Sequence, residues 1–188
     1  GLWITSSKGL ARALAELFPA GRVPEDLSDV SVKISGCHNS CAQHHISTIG
    51  LHGVGKRLGE HVAPHYELHL GGQVDGTPKI GQMTVKLPAK AVPAALSHLV
   101  TVYRRDRLPK ENLSAFIARA GKNKLKDELI PYTIVPAYKD DPTFYYDWEG
   151  EAEFILEDLR QVRQVMQLPR LFSPVVVTPF LVVYPQRQ

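Results

Sequence analysis

The stretch VKISGCHNSCAQHHISTIGLHG, residues 32–53, decides how the chain is read. Val30, Val32 and Ile34 alternate with Ser31 and Lys33, the period of a half-buried strand. Gly36 then opens a cysteine- and histidine-rich segment, and residues 46–51 return to strand character. Cys37 and Cys41 therefore lie on a tight loop or a single helical turn between two strands. Two cysteines four positions apart point the same way if that turn is helical. They can then grip one metal centre, and soft thiolates select iron–sulfur clusters, zinc or Cu(I). Spacing alone leaves two other readings open. One is a pair of buried structural cysteines. The other is a zinc site of Cys37, Cys41 and His44 or His45, although the spacing matches no standard zinc finger.

Working outward, Leu10, Leu14 and Leu17 fall on one helical face behind the cap-forming Thr5, Ser6 and Ser7. Residues 66–70 read as a strand, with Tyr66, Leu68 and Leu70 on one face and Glu67 and His69 on the other, ending at Gly71-Gly72. Residues 73–88 look loop-like, with a short strand at 83–85. A helix is expected over 89–104 through Val92, Ala95, Leu96, Leu99, Val100 and Tyr103. A second is expected over 110–120 with Gly121 as its C-cap, and a third, short one over 125–130 before Pro131. Strands first and helices later indicate an α+β or α/β domain. Composition shifts after Pro136, which predicts a division into residues 1–136 and 137–188. Residues 137–150 read as extended, 151–167 as an amphipathic helix, and Val175 to Val177 with 180–183 as strongly β-prone tail. Such a tail needs cover from the domain or a partner.

The 188 residues carry 22 Lys+Arg against 19 Asp+Glu, are 44% hydrophobic and hold two cysteines. That is globular composition, not disorder, collagen or coiled coil. A net charge of +3 is too small and dispersed to imply a nucleic-acid partner. Two cysteines make no disulfide framework, and no secretory signal or membrane span is visible. A reducing compartment is expected: the cytoplasm, or an organelle stroma or matrix. Gly1 in place of Met suggests a processed chain or one cut from something longer.

All eight histidines lie between His38 and His98. His65 and His69 read as solvent-facing strand residues, His61 as a loop residue and His98 as a helix-surface one. His44, His45 and His52 stay open as metal ligands, acid–base groups or an anion-binding lining. Residues 50–57, GLHGVGKR, nearly spell a phosphate-binding loop but carry Arg57 where a magnesium-binding hydroxyl belongs. They read as a turn between strands. Arg104, Arg105 and Arg107 with Lys122, Lys124 and Lys126 form a basic run, read as a solvated face before a docking surface for an acidic partner.

Three segments, with a short fourth near residue 149, together resemble the siroheme- and 4Fe-4S-containing nitrite/sulfite reductases. Residues 32–53, with their Gly-Cys-x-Asn-x-Cys core, are similar to that family's second cysteine-pair motif. Tyr66-Glu-Leu-His-Leu-Gly-Gly72 resembles the strand and double glycine next in that family's order. Residues 92–121 resemble the late helical segment, and YYDWE at 145–149 the C-terminal end. The resemblance covers about residues 1–155 and leaves roughly 161–188 unmatched. It implies an α+β fold, a mixed or antiparallel sheet with helices packed on it. It also implies a 4Fe-4S cluster held by two cysteine pairs, whose last cysteine bridges to the siroheme iron, where sulfite or nitrite takes six electrons. On matching positions Cys37 is a cluster ligand, Cys41 is both ligand and siroheme-iron bridge, and Asn39 and the Gly71-Gly72 backbone lie near the cofactors.

The family's first cysteine pair belongs just ahead of Gly1, because residues 6–11, SSKGLA, resemble the segment on its C-terminal side. His38 stands at the family's usual proline. The chain thus reads as the C-terminal cluster-binding part of a sulfite or nitrite reductase, incomplete and inactive alone. Its partners would be the missing N-terminal part or other subunits, and an electron donor such as ferredoxin. The alternatives are a degenerate, non-catalytic reductase domain that serves as a structural or interaction subunit, and a zinc-binding module.

Overall fold

Val32 and Ile34 turn to one face and Lys33 and Ser35 to the other in β1 (Val32–Ser35), the first strand in a computed structural model that describes residues 4–17, 24–156, 175–177 and 181–183. The other strands are β2 (Ile49–Leu58), β3 (His61–Leu70), β4 (Gln82–Pro88), β5 (Val175–Val177) and β6 (Leu181–Val183). They form one sheet in the order β4-β3-β2-β1-β5-β6. Only β1 and β2 run parallel; every other neighbouring pair is antiparallel. With α1 (Ser7–Leu17), α2 (Val92–Asp106) and α3 (Leu113–Leu129), this is an α+β fold. Among the described residues no helix is long and apolar enough to cross a membrane.

The register gives the sheet two distinct faces. Ile34, Leu51 and Leu68 share one face, continued by Ile49 with Leu70 and by Tyr66 with Leu87. These residues are buried with Leu10 and Leu14 of α1, Leu96, Leu99 and Tyr103 of α2, and Leu113, Phe116 and Leu125 of α3. The expected stripe of α2 is buried throughout, and Pro93 sits in its first turn, where a missing N–H costs nothing. The opposite face carries Ser35, Gly50, His52, Glu67 and His69. A short turn, His44–Ile46, lies over this second face, so close that a Cβ on Gly50 would stand 1.9 Å from the His44 carbonyl oxygen.

Several expectations are corrected. Residues 50–57 are no turn but most of β2, paired with β3 along its length. His61 opens β3 instead of a loop, and β4 is longer than residues 83–85. His65 and His69 are not solvent-facing: they are 1% and 6% exposed, because both faces of β3 are covered. The two expected helices around Gly121 run as one element, broken where Gly121 takes φ 78° and ψ 157°. Its first turn is capped by the Asn112 side chain, which accepts from the Ala115 N–H. Residues 151–156 are not helical, since Glu153 pairs with Tyr146 as an isolated bridge. The rest of that expected helix, 157–167, lies outside the described residues, as does residue 180. The apolar tail strand β5 adds to the free edge of β1, Val177 opposite Val32.

Candidate functional site

The cysteine segment begins where β1 stops. The Gly36 carbonyl accepts from the N–H groups of Ile4 and Thr5 at 2.9 and 3.0 Å, so the stretch leading into α1 runs beside Cys37. Gly53 makes room for this crossing: a Cβ there would stand 1.8 Å from Thr5 Oγ1 and 2.4 Å from the Gly36 oxygen. The turn itself uses left-handed backbone at Ser40 and Gln43 and closes with Gln43 N–H donating to the Ser40 carbonyl at 2.7 Å. Cys37 is buried, Cys41 is exposed and both are free thiols. Asn39 is exposed at the tip of the turn. Partial burial, and then the neighbouring Cys37 thiolate, push the Cys41 thiol up. A metal ion would reverse that preference, since a coordinating thiol is deprotonated outright.

Beyond the cysteines, four imidazoles meet on the second face of the sheet. His44 has its ring 4.0 Å from that of His45, 4.7 Å from His52 and 5.3 Å from His69. His44 Nδ1 bonds Ser35 Oγ at 2.9 Å, and the same hydroxyl oxygen receives the Ala42 N–H, which ties the end of the cysteine turn to β1. His69 Nε2 lies 3.1 Å from His52 Nδ1, and His52 Nε2 lies 3.4 Å from Glu67 Oε2. Glu67 is held in turn by Lys86 at 3.0 Å. Burial pushes the imidazolium form of His44 down to about 3 and of His52 to about 4; crowding by the neighbouring rings adds to this, while Glu67 opposes it at His52. His69 is lowered for the same reasons. At neutral pH the rings of His44, His52 and His69 are uncharged.

The double glycine ends β3 against this cluster. Gly71 takes φ 83° and its N–H bonds the Thr48 carbonyl at 3.0 Å. A Cβ on Gly72 would meet the carbonyl oxygens of His45 and Ser47 at 2.5 and 2.6 Å, and Gly81 N–H donates to His45 O at 2.7 Å. The structure thus brings Gly71, Gly72 and the histidine turn together. Among the described residues the ligating atoms gathered within 4.8 Å are those of His44, His45 and His69, and those of His52, Glu67 and His69, with no cysteine joining either set. Sequence reading left His69 and Glu67 out of the site. Their shared face was visible, but only the register that sets His52 opposite Glu67 and Gly50 opposite His69 reveals what they face.

Half of the basic run is ion-paired at the surface: Arg104 with Asp26, Arg105 with Asp106 and Glu128, and Lys124 with Asp106. That supports a solvated face, where such pairs contribute little.

Among known protein families, the one described as "Nitrite and sulphite reductase 4Fe-4S domain" matches residues 29–135. The sulfite reductase [NADPH] hemoprotein beta-component of Methylobacterium nodulans is 33% identical over 123 residues, which are 60% of this chain and 19% of that protein. Its counterpart from Myxococcus xanthus is 34% identical over 123 residues, 60% of this chain and 21% of that protein. The chain spans about a fifth of the length of these curated relatives. Among solved structures, the NirA protein of Mycobacterium tuberculosis is similar at 25% identity and a TM-score of 0.46, over 62% of this chain and 21% of that one.

Proposed function

Since the chain belongs to the nitrite and sulphite reductase 4Fe-4S domain family, we propose that it is the C-terminal, cluster-binding part of a siroheme-dependent sulfite or nitrite reductase, with Cys37 and Cys41 as two of the cluster's four thiolate ligands. The observation that carries this is the cysteine turn itself: two free thiols on one short turn at the end of β1, one of them open to solvent. A 4Fe-4S cluster takes four thiolates, and this sequence has two. The residues present fit half of that ligand set and cannot close it.

The second cysteine pair would come from a segment ahead of Ile4 or from another chain. The bonds from Ile4 and Thr5 to Gly36 support the first source, since they carry the entering backbone alongside Cys37. In this reading Cys41 would also be the ligand shared with siroheme, and Asn39 and the Gly71-Gly72 backbone would lie near the cofactors. The group itself supplies electron transfer and the metal that holds the substrate anion. The chain's residues would hold one side of the cluster. The donor, ferredoxin on the reading from sequence, is part of the proposal; the relatives' names carry NADPH.

Anaerobic reconstitution with iron, sulfide and siroheme tests this. The chain alone should give no stable iron–sulfur and siroheme absorption and no reductase activity. A stable spectrum with one of each group per chain would overturn the half-set reading. The two-cysteine count also favours a second reading, a non-catalytic reductase domain kept as a structural subunit. In that case adding the second cysteine pair, on a preceding segment or a partner, would still yield no cluster.

A further inference from the structure

The histidine cluster has a feature that packing alone does not call for: two of its buried rings, His44 and His69, are each held by one nitrogen and leave the other unpartnered. His44 is fully buried, with Nδ1 on Ser35 Oγ and Nε2 without a hydrogen-bond partner among the described residues. His69 is 6% exposed, with Nε2 on His52 Nδ1 and Nδ1 likewise unpartnered. A hydrogen bond to His52 holds the second ring. Its partner His52 has Nδ1 at 3.1 Å from His69 Nε2 and Nε2 at 3.4 Å from Glu67 Oε2. Buried polar atoms are rarely left unpaired. One nitrogen held by a carboxylate, hydroxyl or carbonyl and the other left free is the arrangement of a metal-ligating histidine. Half-buried His45 completes the set, with a ligand atom from each of the three residues within 4.8 Å of the others.

We propose that His44, His45 and His69 bind one divalent transition-metal ion of the zinc type, at a site distinct from the cysteine pair. Imidazole nitrogens suit Zn²⁺, and three protein ligands leave a fourth position open to water or an anion. Nitrogens around tetrahedral zinc stand about 3.4 Å apart, so the ring of His45, the least buried of the three, swings inward to close the set. Ser35 and the Glu67–His52 pair are positioning residues that hold the rings of His44 and His69. The site does not rest on the cluster reading, because neither cysteine takes part.

The test is Zn²⁺ binding by calorimetry, and Co²⁺ binding by visible absorption, on the full chain with Cys37→Ser and Cys41→Ser together. That variant should bind one ion per chain, and its Co²⁺ spectrum should show ligand-field bands without thiolate charge transfer. Adding His45→Ala should weaken binding at least 100-fold, with circular dichroism and thermal unfolding unchanged because the ring is half-exposed. Ser35→Ala or Glu67→Ala should weaken it about 10- to 100-fold. Loss of stoichiometric binding in the double serine variant would assign the metal to the cysteines and overturn the proposal. So would unchanged affinity in the His45→Ala variant.

Discussion

His65 is 1% exposed in the middle of β3; its Nδ1–H donates to the Ala63 carbonyl at 2.9 Å, and its Nε2 has no partner among the described residues. Burial, with Lys56 and Lys86 nearby, pushes its imidazolium form down to about 4 although the bond to Ala63 opposes this. Above pH 6.5 the ring is neutral whether the chain is folded or not. As pH falls from 6.5 toward 4 the unfolded chain takes up a proton that the folded one refuses, so stability falls. The slope from this residue is about 1.4 kcal/mol per pH unit. Denaturant midpoints at pH 7 and pH 5 should therefore differ less in His65→Leu than in the parent, and equal differences would clear His65 of the effect. The alternation of β3 was legible in the sequence. Its exposure was not, because alternation assigns faces and says nothing about whether the second face is covered.

At the scale of elements, α2 was the easiest to read, since its apolar stripe repeats over four turns and nothing interrupts it. Gly121 was legible for a similar reason: a lone glycine between two amphipathic stretches marks a break, and its backbone there is one that only glycine adopts readily. β2 misled because Gly50, Gly53 and Gly55 look like a turn. They are instead places where other parts of the chain press on a strand, a role the strand's own residues cannot announce. This separates two substitutions that look alike in sequence. Gly50→Ala forces a methyl against the His44 backbone and should cost about 3 kcal/mol, with the histidine turn displaced. Gly59, in the β2–β3 hairpin, has φ 64° and open space around it, so Gly59→Ala should cost about 1–2 kcal/mol of backbone strain. Urea midpoints of the two variants decide the matter; a larger loss at Gly59 would mean that the turn yields freely to β2.

Across the whole molecule, the match to the family ends at residue 135 but the packing does not. The Asp147 carboxylate accepts the Ser6 N–H at 2.6 Å, just ahead of α1, and the Trp148 N–H at 2.9 Å. The Trp148 indole donates to the Ala89 carbonyl at 3.2 Å, and its Cβ lies over Gly9 of α1. Tyr145 is buried beneath the stacked pair of His61 and Tyr138, Phe154 is buried, and Leu156 fills the space left by Gly55. Residues 137–156 therefore clamp α1 to the sheet, and α1 is entered through the residues that lie against Gly36 and the cysteine turn. Cutting the chain after residue 136 should remove two buried aromatic side chains and the acceptor at the start of α1, a loss of roughly 4–7 kcal/mol. That is comparable to the whole stability of a domain this size, so the short form should be largely unfolded while a form ending at 156 stays folded. Amide hydrogen exchange on the two forms checks this: protection kept in α1 and at Gly36 after the cut at 136 would show that the cysteine turn is held by the sheet alone.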